Sequence, residues 1–115
     1  MEKIRTVVAY KDYFDKFIAE QPMQVRLKIF KVLEIVEQYE RIPAKNFRFI
    51  VGSDGLYEIR VQLGNNIFRV FCFFDEGKLV ILLSGFVKKT QKTPPGEIER
   101  AERLKKEYFN EKKKG

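Results

Sequence analysis

The spacing of apolar residues changes at Pro43 and divides the sequence into two halves of different structure. Before Pro43, apolar residues recur at helical spacing from Phe14 to Ile18 and again from Val25 to Val36. After it come three segments rich in β-branched and aromatic residues, at 56–63, 67–74 and 78–86, separated by the turn signals GSDG, GNN and DEG. This pattern predicts two helices followed by a meander of antiparallel hairpins.

The two ends of the chain add a strand and a third helix. Residues 3–10 are β-branched and short, which predicts an opening strand. The first helix is expected at 11–20 and the second from Pro22 to about residue 41, because proline is tolerated in a first turn. After the double proline, with Thr93 as N-cap, an amphipathic helix is expected. With no repeat or linker, residues 1–115 are interpreted as one α+β domain.

Composition limits the chemistry. The chain has no His and one Cys, Cys72, so imidazole catalysis, a structural zinc site and an internal disulfide are excluded, and no metal or cofactor is expected. We also expect no membrane span or signal peptide, and hence a cytoplasmic protein. The net charge is +7, and residues 44–115 carry most of it with 15 basic and 9 acidic groups. Such a bias favours an anionic partner, although a merely soluble basic surface is the alternative.

Strand alternation gathers charged residues on one face of the hairpins. A turn centred on Asn65-Asn66 would place Ile59 opposite Cys72 on an apolar face, with Glu58 and Arg60 on the other. A turn at 76–77 would place Arg69 opposite Ser84. The second face would then hold Glu58, Arg60, Arg69, Ser84 and Lys88 around the rings of Phe71 and Phe86. Interleaved cations and rings suit single-stranded RNA. The alternatives are a solvated face on which Glu58 pairs with a cross-strand Arg, or rings covered by the C-terminal helix.

The stretch GFVKKTQKTPP follows the last predicted strand. It places Lys88, Lys89 and Lys92 within five positions, directly before a double proline. Lysines this close repel one another unless an anion is near, and a plain turn would use Gly, Asn or Asp. We therefore expect these lysines to hold RNA phosphates at the edge of the polar face. A solvated connector is the other interpretation.

Three stretches together carry a family resemblance: LYEIRV, then FRVFCFF, then LLSGFVKKTQKTPPGEIERA. In this order they resemble the RelE/ParE superfamily of type II toxin–antitoxin toxins, in its HigB/RelE-like, phage-derived branch. The resemblance implies a compact microbial-RNase-like (RelE-like) fold, a twisted antiparallel sheet with two N-terminal helices and a C-terminal helix. It also implies cleavage of messenger RNA on the translating ribosome.

Residue by residue, the family pattern falls on Glu58, Arg60, Arg69, Phe86, Lys88, Lys89, Thr90 and Lys92. One position departs from it, since Ser84 stands where many relatives have a His. The RNA 2′-hydroxyl is the nucleophile in such a reaction. Arg60 and Arg69 suit the phosphate charge, and either Glu58 or a Lys with a lowered pKa, first Lys88, would take the proton.

The catalytic set is therefore Glu58, Arg60, Arg69 and Lys88, and the RNA-binding set is Phe71, Phe86, Lys89, Thr90 and Lys92. The resemblance implies three partners: the ribosome, its message and a cognate antitoxin, a helix-turn-helix protein with an acidic segment. Two other functions stay open at the level of sequence. One is a ParE-like, non-enzymatic inhibitor of DNA gyrase, and the other is a non-toxic RNA- or ribosome-binding module.

Overall fold

The computed structural model describes residues 3–88 and 94–114. These residues form β1 (Thr6–Ala9), α1 (Tyr13–Ala19), α2 (Met23–Gln38), β2 (Phe47–Phe49), β3 (Tyr57–Leu63), β4 (Asn66–Phe74), β5 (Leu79–Lys88) and α3 (Pro95–Lys114). The strands make one sheet in the order β1-β5-β4-β3-β2. Strand β1 runs parallel to β5, and the other neighbouring pairs are antiparallel. The predicted α+β class, with two N-terminal helices and a C-terminal helix, is confirmed.

Helices α1 and α2 cover one face of the sheet. Their apolar stripes, predicted from helical spacing, are buried: Phe14, Phe17, Ile18, Val25, Ile29, Val32, Leu33 and Val36. They pack on the apolar face of the hairpins, which includes Ile59, Val70 and Cys72. Cys72 is fully buried, and this burial raises the pKa of its thiol. Its side chain therefore acts as a packing residue.

Helix α3 covers part of the opposite face. Ala101 and Leu104 are buried against a second apolar cluster that includes Leu56, Phe71, Phe73, Ile81 and Leu83. Of the alternatives for this face, cover by the C-terminal helix is the one that the structure adopts at Phe71 and Phe73. Within the described residues, no helix is long and apolar enough to cross a membrane.

The first hairpin turn is centred on Gly64-Asn65, one residue earlier than predicted. Leu63 pairs directly with Asn66, and Gly64 takes a φ of +62°, a conformation that glycine adopts without steric cost. Tyr57, rather than Ile59, therefore faces Cys72. The register shifts by two residues, so each side chain stays on its predicted face.

Two strand pairings were not predicted. Strand β2 is only three residues long and pairs with β3 at the end of the sheet. Strand β1 lies beside β5, far away in sequence, and a parallel pairing of this kind depends on the intervening helices rather than on any local pattern. A register shift between Val70 and Cys72 also bends β4 and β5 relative to a regular ladder.

Polar contacts attach α3 to three parts of the chain. Tyr108 donates a hydrogen bond to Asp75, whose carboxylate also contacts Lys112 Nζ at 2.9 Å. Tyr10 donates to Glu107 at 2.9 Å. At the other end, Lys105 donates to a carbonyl in the turn at 52–55. Because α3 is a strongly polar helix with a narrow apolar stripe, these contacts complete its attachment to the sheet.

Gly85 lies where α1 approaches β5 most closely. A β-carbon at this position would lie 2.5 Å from Cδ2 of the buried Phe17 ring. We expect Gly85→Ala to lower the free energy of unfolding by roughly 1–3 kcal/mol through overpacking. Gly96→Ala is the control, because a β-carbon there meets nothing within 4 Å. Equal urea midpoints for the two variants would show that α1 gives way at no cost.

The attachment of α3 through Asp75 should depend on pH. The hydrogen bond from Tyr108 and the charge of Lys112 hold the pKa of Asp75 below its usual value. Its contribution is therefore fully present above the unfolded pKa of about 3.9, and it is lost as pH falls through the lower folded pKa. We expect Asp75→Asn to destabilise the protein by about 1–3 kcal/mol at pH 7 and by much less in acid.

Thermal unfolding of wild type and Asp75→Asn between pH 7 and pH 2 measures this difference. Asp54→Asn is the control, since its carboxylate is 78% exposed and lies 4.0 Å from Lys105. A gap between wild type and Asp75→Asn that stays constant down to pH 2 would contradict the assignment.

Candidate functional site

Three arginines and one carboxylate lie together on the part of the second face beyond the apolar cluster under α3. Arg48 pairs with Glu58 across β2 and β3, and Glu58 pairs in turn with Phe71. Arg60 pairs with Arg69 across β3 and β4. Directly paired residues share a face of the sheet, so these side chains converge. The prediction that Glu58, Arg60 and Arg69 lie together is met.

Glu58 holds two of the arginines through one oxygen. Its Oε1 accepts a hydrogen bond from Arg69 Nη1 and lies 3.5 Å from Arg60 Nε. The side chains of Glu58 and Arg69 are only 7% and 6% exposed, while that of Arg60 is 16% exposed. The sequence left open a salt bridge of Glu58 on a solvated surface. The structure instead has a buried Glu58–Arg69 pair, with Arg60 on its outer side.

The cluster carries more positive than negative charge. Burial, then the charges of Arg69 and Arg48, lower the pKa of Arg60, and only the Glu58 carboxylate opposes them. Like charges directly opposite each other on a sheet are destabilising, so Arg60 and Arg69 depend on Glu58 between them. Among the described residues, Nε of Arg60 and Nε of Arg69 are buried without a hydrogen-bond partner. An anion bound beside Arg60 and Arg48 would supply the missing negative charge.

The two aromatic rings of the predicted face have different positions. Phe71 is 0% exposed and belongs to the cluster under α3, so the expectation that it stacks on RNA is wrong in this structure. Phe86 is half-buried, and its ring centroid lies 5.4 Å from that of Phe71. Because Phe86 pairs with Arg69, it is the ring next to the arginines. The buried ring of Phe71 packs against the ring of Phe86.

Arg69 pairs with Phe86 and not, as predicted, with Ser84. The register shift in β4 and β5 accounts for this difference, and Ser84 is buried beside α1 and α3 instead. Lys88 is the last residue of β5 and pairs with Ile67, two pairs beyond the pair of Phe86 and Arg69. Lys89, Thr90, Lys92 and Thr93, which the sequence singles out, lie outside the described residues.

Arg48 is a member of the cluster that the sequence analysis missed. It is exposed, it pairs with Glu58, and its Nε donates to Ala44 O at 3.2 Å. The signal was present in the triplet Phe47-Arg48-Phe49, whose alternation is typical of a strand. Three residues are too few for that pattern to stand out without the neighbouring strand.

The arrangement is suited to binding a phosphate group. Arginine guanidinium groups bind phosphate bidentately and stay charged, and here Arg48 and Arg60 lie on the solvent side of the buried Glu58–Arg69 pair. Within residues 3–88 and 94–114, there is no group of three or more side chains of metal-binding type. The arginine donors, held in place by Glu58, can bind an anion.

Comparison with known proteins agrees with this fold. Residues 16–106 match the family model described as "Phage derived protein Gp49-like (DUF891)". The structure is similar to a chain in the crystal structure of an archaeal RelE-RelB complex from Pyrococcus horikoshii OT3, with a TM-score of 0.53 and 18% identity. That alignment covers 80% of this chain and 100% of the other. No curated protein matches this chain. The predicted RelE-like fold is confirmed, and at this identity the likeness is one of fold.

Removing the charge of Glu58 should destabilise the folded protein. Glu58→Gln preserves the shape of the side chain but leaves Arg69 buried without its counter-charge, which costs about 3–5 kcal/mol for buried pairs. The matched control is Glu34→Gln, which removes an exposed pair with Lys31 at 3.6 Å and should cost at most about 1 kcal/mol. Urea unfolding measures both variants. Equal losses would mean that the Glu58 pair does not hold the arginines.

Proposed function

We propose that this chain, which belongs to the phage-derived Gp49-like family, is the toxin of a type II toxin–antitoxin pair. Its activity would be that of a HigB-like endoribonuclease that cuts messenger RNA on the translating ribosome. One observation carries the proposal: Glu58 forms ion pairs with Arg60 and Arg69, and Arg48 lies beside them as the strand partner of Glu58. A phosphodiester backbone is the polyanion that such a surface fits best.

The position of the cluster supports a strand of RNA rather than a single small anion. Arg48 and Arg60 lie on adjacent strands, and the next strand pair carries Phe86 and then Lys88 at the end of β5. Charge and a half-buried ring thus follow one another across the sheet. Phosphates would lie on the arginines, and an unstacked base would contact Phe86, as in other single-strand readers.

The reaction uses the RNA's own nucleophile. The 2′-hydroxyl loses its proton to a base as its oxygen attacks the adjacent phosphorus. The bond to the 5′-oxygen breaks and that oxygen gains a proton, so that a cyclic phosphate and a 5′-hydroxyl result. Negative charge accumulates on the phosphate oxygens in the transition state. Donors that are already positioned stabilise this charge without reorganising. Arg60 supplies such donors directly, and Arg69 reinforces them from its buried position.

Glu58 fits a positioning role better than the role of general base. Its Oε1 already contacts two guanidinium groups, and its side chain is only 7% exposed. A base must reach the proton that it removes, through a direct hydrogen bond or one water molecule. We therefore assign Glu58 to holding the arginines. The proton-acceptor role is assigned to the neutral amine form of Lys88, the terminal residue of β5.

The remaining lysines extend this proposal along the chain. Lys89, Thr90 and Lys92 follow β5 in sequence, and we propose that they bind phosphates beside the cleaved bond. The same positive surface would bind an acidic segment of the cognate antitoxin, a helix-turn-helix protein, because one polyanion can replace another there. The ribosome would position the message, which compensates for the absence of histidine from the site.

Arginine substitutions test the nuclease directly. Arg60→Ala should slow cleavage by roughly 10- to 150-fold, because it removes a charge-assisted phosphate contact worth about 1.5–3 kcal/mol. Arg48→Ala should act in the same direction and leave folding intact, since its side chain is exposed. Arg60→Lys should recover only part of the rate, because lysine lacks the planar fork.

The measurement is cleavage of a message during translation with purified ribosomes, with the new ends mapped to codons. Arg103→Ala is the matched control, an exposed arginine of α3 that should cleave at the wild-type rate. Cleavage unchanged in both Arg48→Ala and Arg60→Ala would remove the cluster from the site. If wild type leaves translated message intact and instead stops DNA supercoiling by gyrase, the nuclease proposal is wrong.

A further inference from the structure

A cavity lies at the edge of β5, beyond the point where β1 ends. Strand β1 pairs with β5 only as far as Leu82, so the following residues of β5 face α1 and α3. The cavity has a volume of about 110 Å³ and is lined by Tyr13, Lys16, Glu20, Ser84 and Arg100. That volume holds several water molecules, and so a group the size of an organic ring. The nuclease mechanism above uses none of these residues.

Ser84 gives this cavity a buried polar group that lacks a protein partner. Ser84 is 2% exposed, and its Oγ has no hydrogen bond to any described residue. Buried hydroxyl groups are normally hydrogen-bonded, because burial without a partner is unfavourable. A ligand in the cavity that offers both a donor and an acceptor would satisfy this hydroxyl.

Flat groups form another part of the lining. The guanidinium carbon of Arg100 lies 5.4 Å from the centroid of the Tyr13 ring, so α1 and α3 together present a stacked aromatic–cation pair. Nucleobases of single-stranded RNA stack on aromatic rings and on arginine planes. A planar heterocycle therefore fits the cavity better than an aliphatic group.

The charges favour a base over a phosphate. Asp12 pairs with Lys16 at 3.2 Å and Glu20 balances Arg100, so the charges of the lining and its ion pair cancel. The Glu20 carboxylate repels an anion but accepts N–H donors. Among the RNA bases, guanine presents two neighbouring N–H donors on its pairing edge, which a carboxylate can accept together.

We propose that this cavity binds a guanine base of the message close to the cleaved bond and so sets sequence preference. Glu20 accepts from the guanine pairing edge, Ser84 hydrogen-bonds to the base, and Arg100 stacks on it. Ser84 lies two residues from Phe86, the partner of Arg69, so the backbones of Ser84 and Arg69 are about 8 Å apart by standard strand spacings. The link to cleavage rests on the proposed function, while base binding itself does not.

Amide chemical-shift mapping of the whole chain tests base binding without requiring cleavage. Guanosine, adenosine and inorganic phosphate are titrated separately to millimolar concentration. We expect saturable shifts at Lys16, Ser84 and Arg100 with guanosine, weaker shifts with adenosine, and none there with phosphate. Equal shifts with inorganic phosphate would make the cavity an anion site and overturn the proposal, and so would the absence of shifts with guanosine.

Variants locate the contacts. Glu20→Gln should weaken guanosine binding by roughly 5- to 150-fold, the range for loss of one bidentate base contact. Ser84→Ala should weaken it by roughly 2- to 10-fold while leaving the protein at least as stable, because an unpartnered buried hydroxyl is lost. Asp15→Asn, the same kind of charge change on the same helix beside another cavity, should bind as wild type.

The outcomes separate this inference from the nuclease proposal. Guanosine binding that depends on Glu20, in a protein that cuts no message, would support the cavity and reject the nuclease. Cleavage with the same base preference in wild type and Glu20→Gln, together with unchanged guanosine affinity, would reject the cavity and keep the nuclease. Where both hold, mapped message ends should lose their guanine preference in Glu20→Gln.

Discussion

Burial of β4 on both faces is the constraint on which the rest of the structure depends. Residues 68–73 are buried without interruption, because β4 is the middle strand of the sheet. A strand of this kind requires an apolar layer on each side. The layer of α1 and α2 is complete, whereas α3 covers only the part of its face that includes Phe71 and Phe73. The surface that we propose for RNA binding begins where that second layer ends.

The charged cluster occupies this margin because a carboxylate is stable there only when it is paired. On this face of the sheet, Glu58 lies next to the buried Leu56, two residues away in the chain. Arg69 lies next to the buried Phe71, also two residues away. Their ion pair lies between the apolar interior and solvent, and its two charges neutralise each other. Arg60 pairs with the same carboxylate, and Arg48 is the strand partner of Glu58, so three arginines share one negative charge and the surface is cationic. Burial of the Glu58–Arg69 pair therefore positions the arginines for the polyanion that we propose.

Helix α3 links the two proposed sites. Polar contacts to Asp75 and Tyr10 attach its C-terminal half, and Lys105 attaches its middle to the turn before β3. Its first turns contribute Arg100 to the cavity beside Ser84. The position of α3 therefore determines where the arginine cluster becomes accessible. It also determines the width of the cavity beside Ser84. The register shift in β4 and β5 separates the two sites by placing Ser84 away from Arg69.

The sequence by itself determined the elements and the faces. Helical spacing identified the buried stripes of α1 and α2, and strand alternation put Glu58, Arg60 and Arg69 together even though the turn falls at Gly64-Asn65, because a shift of two residues preserves the face. Only the tertiary structure decided the burial of Phe71 and Glu58, the entry of Arg48 through a three-residue strand, and the position of Ser84. Alternation is a property of neighbouring residues, whereas cover by α3 and the parallel pairing of β1 join segments that are distant in the chain.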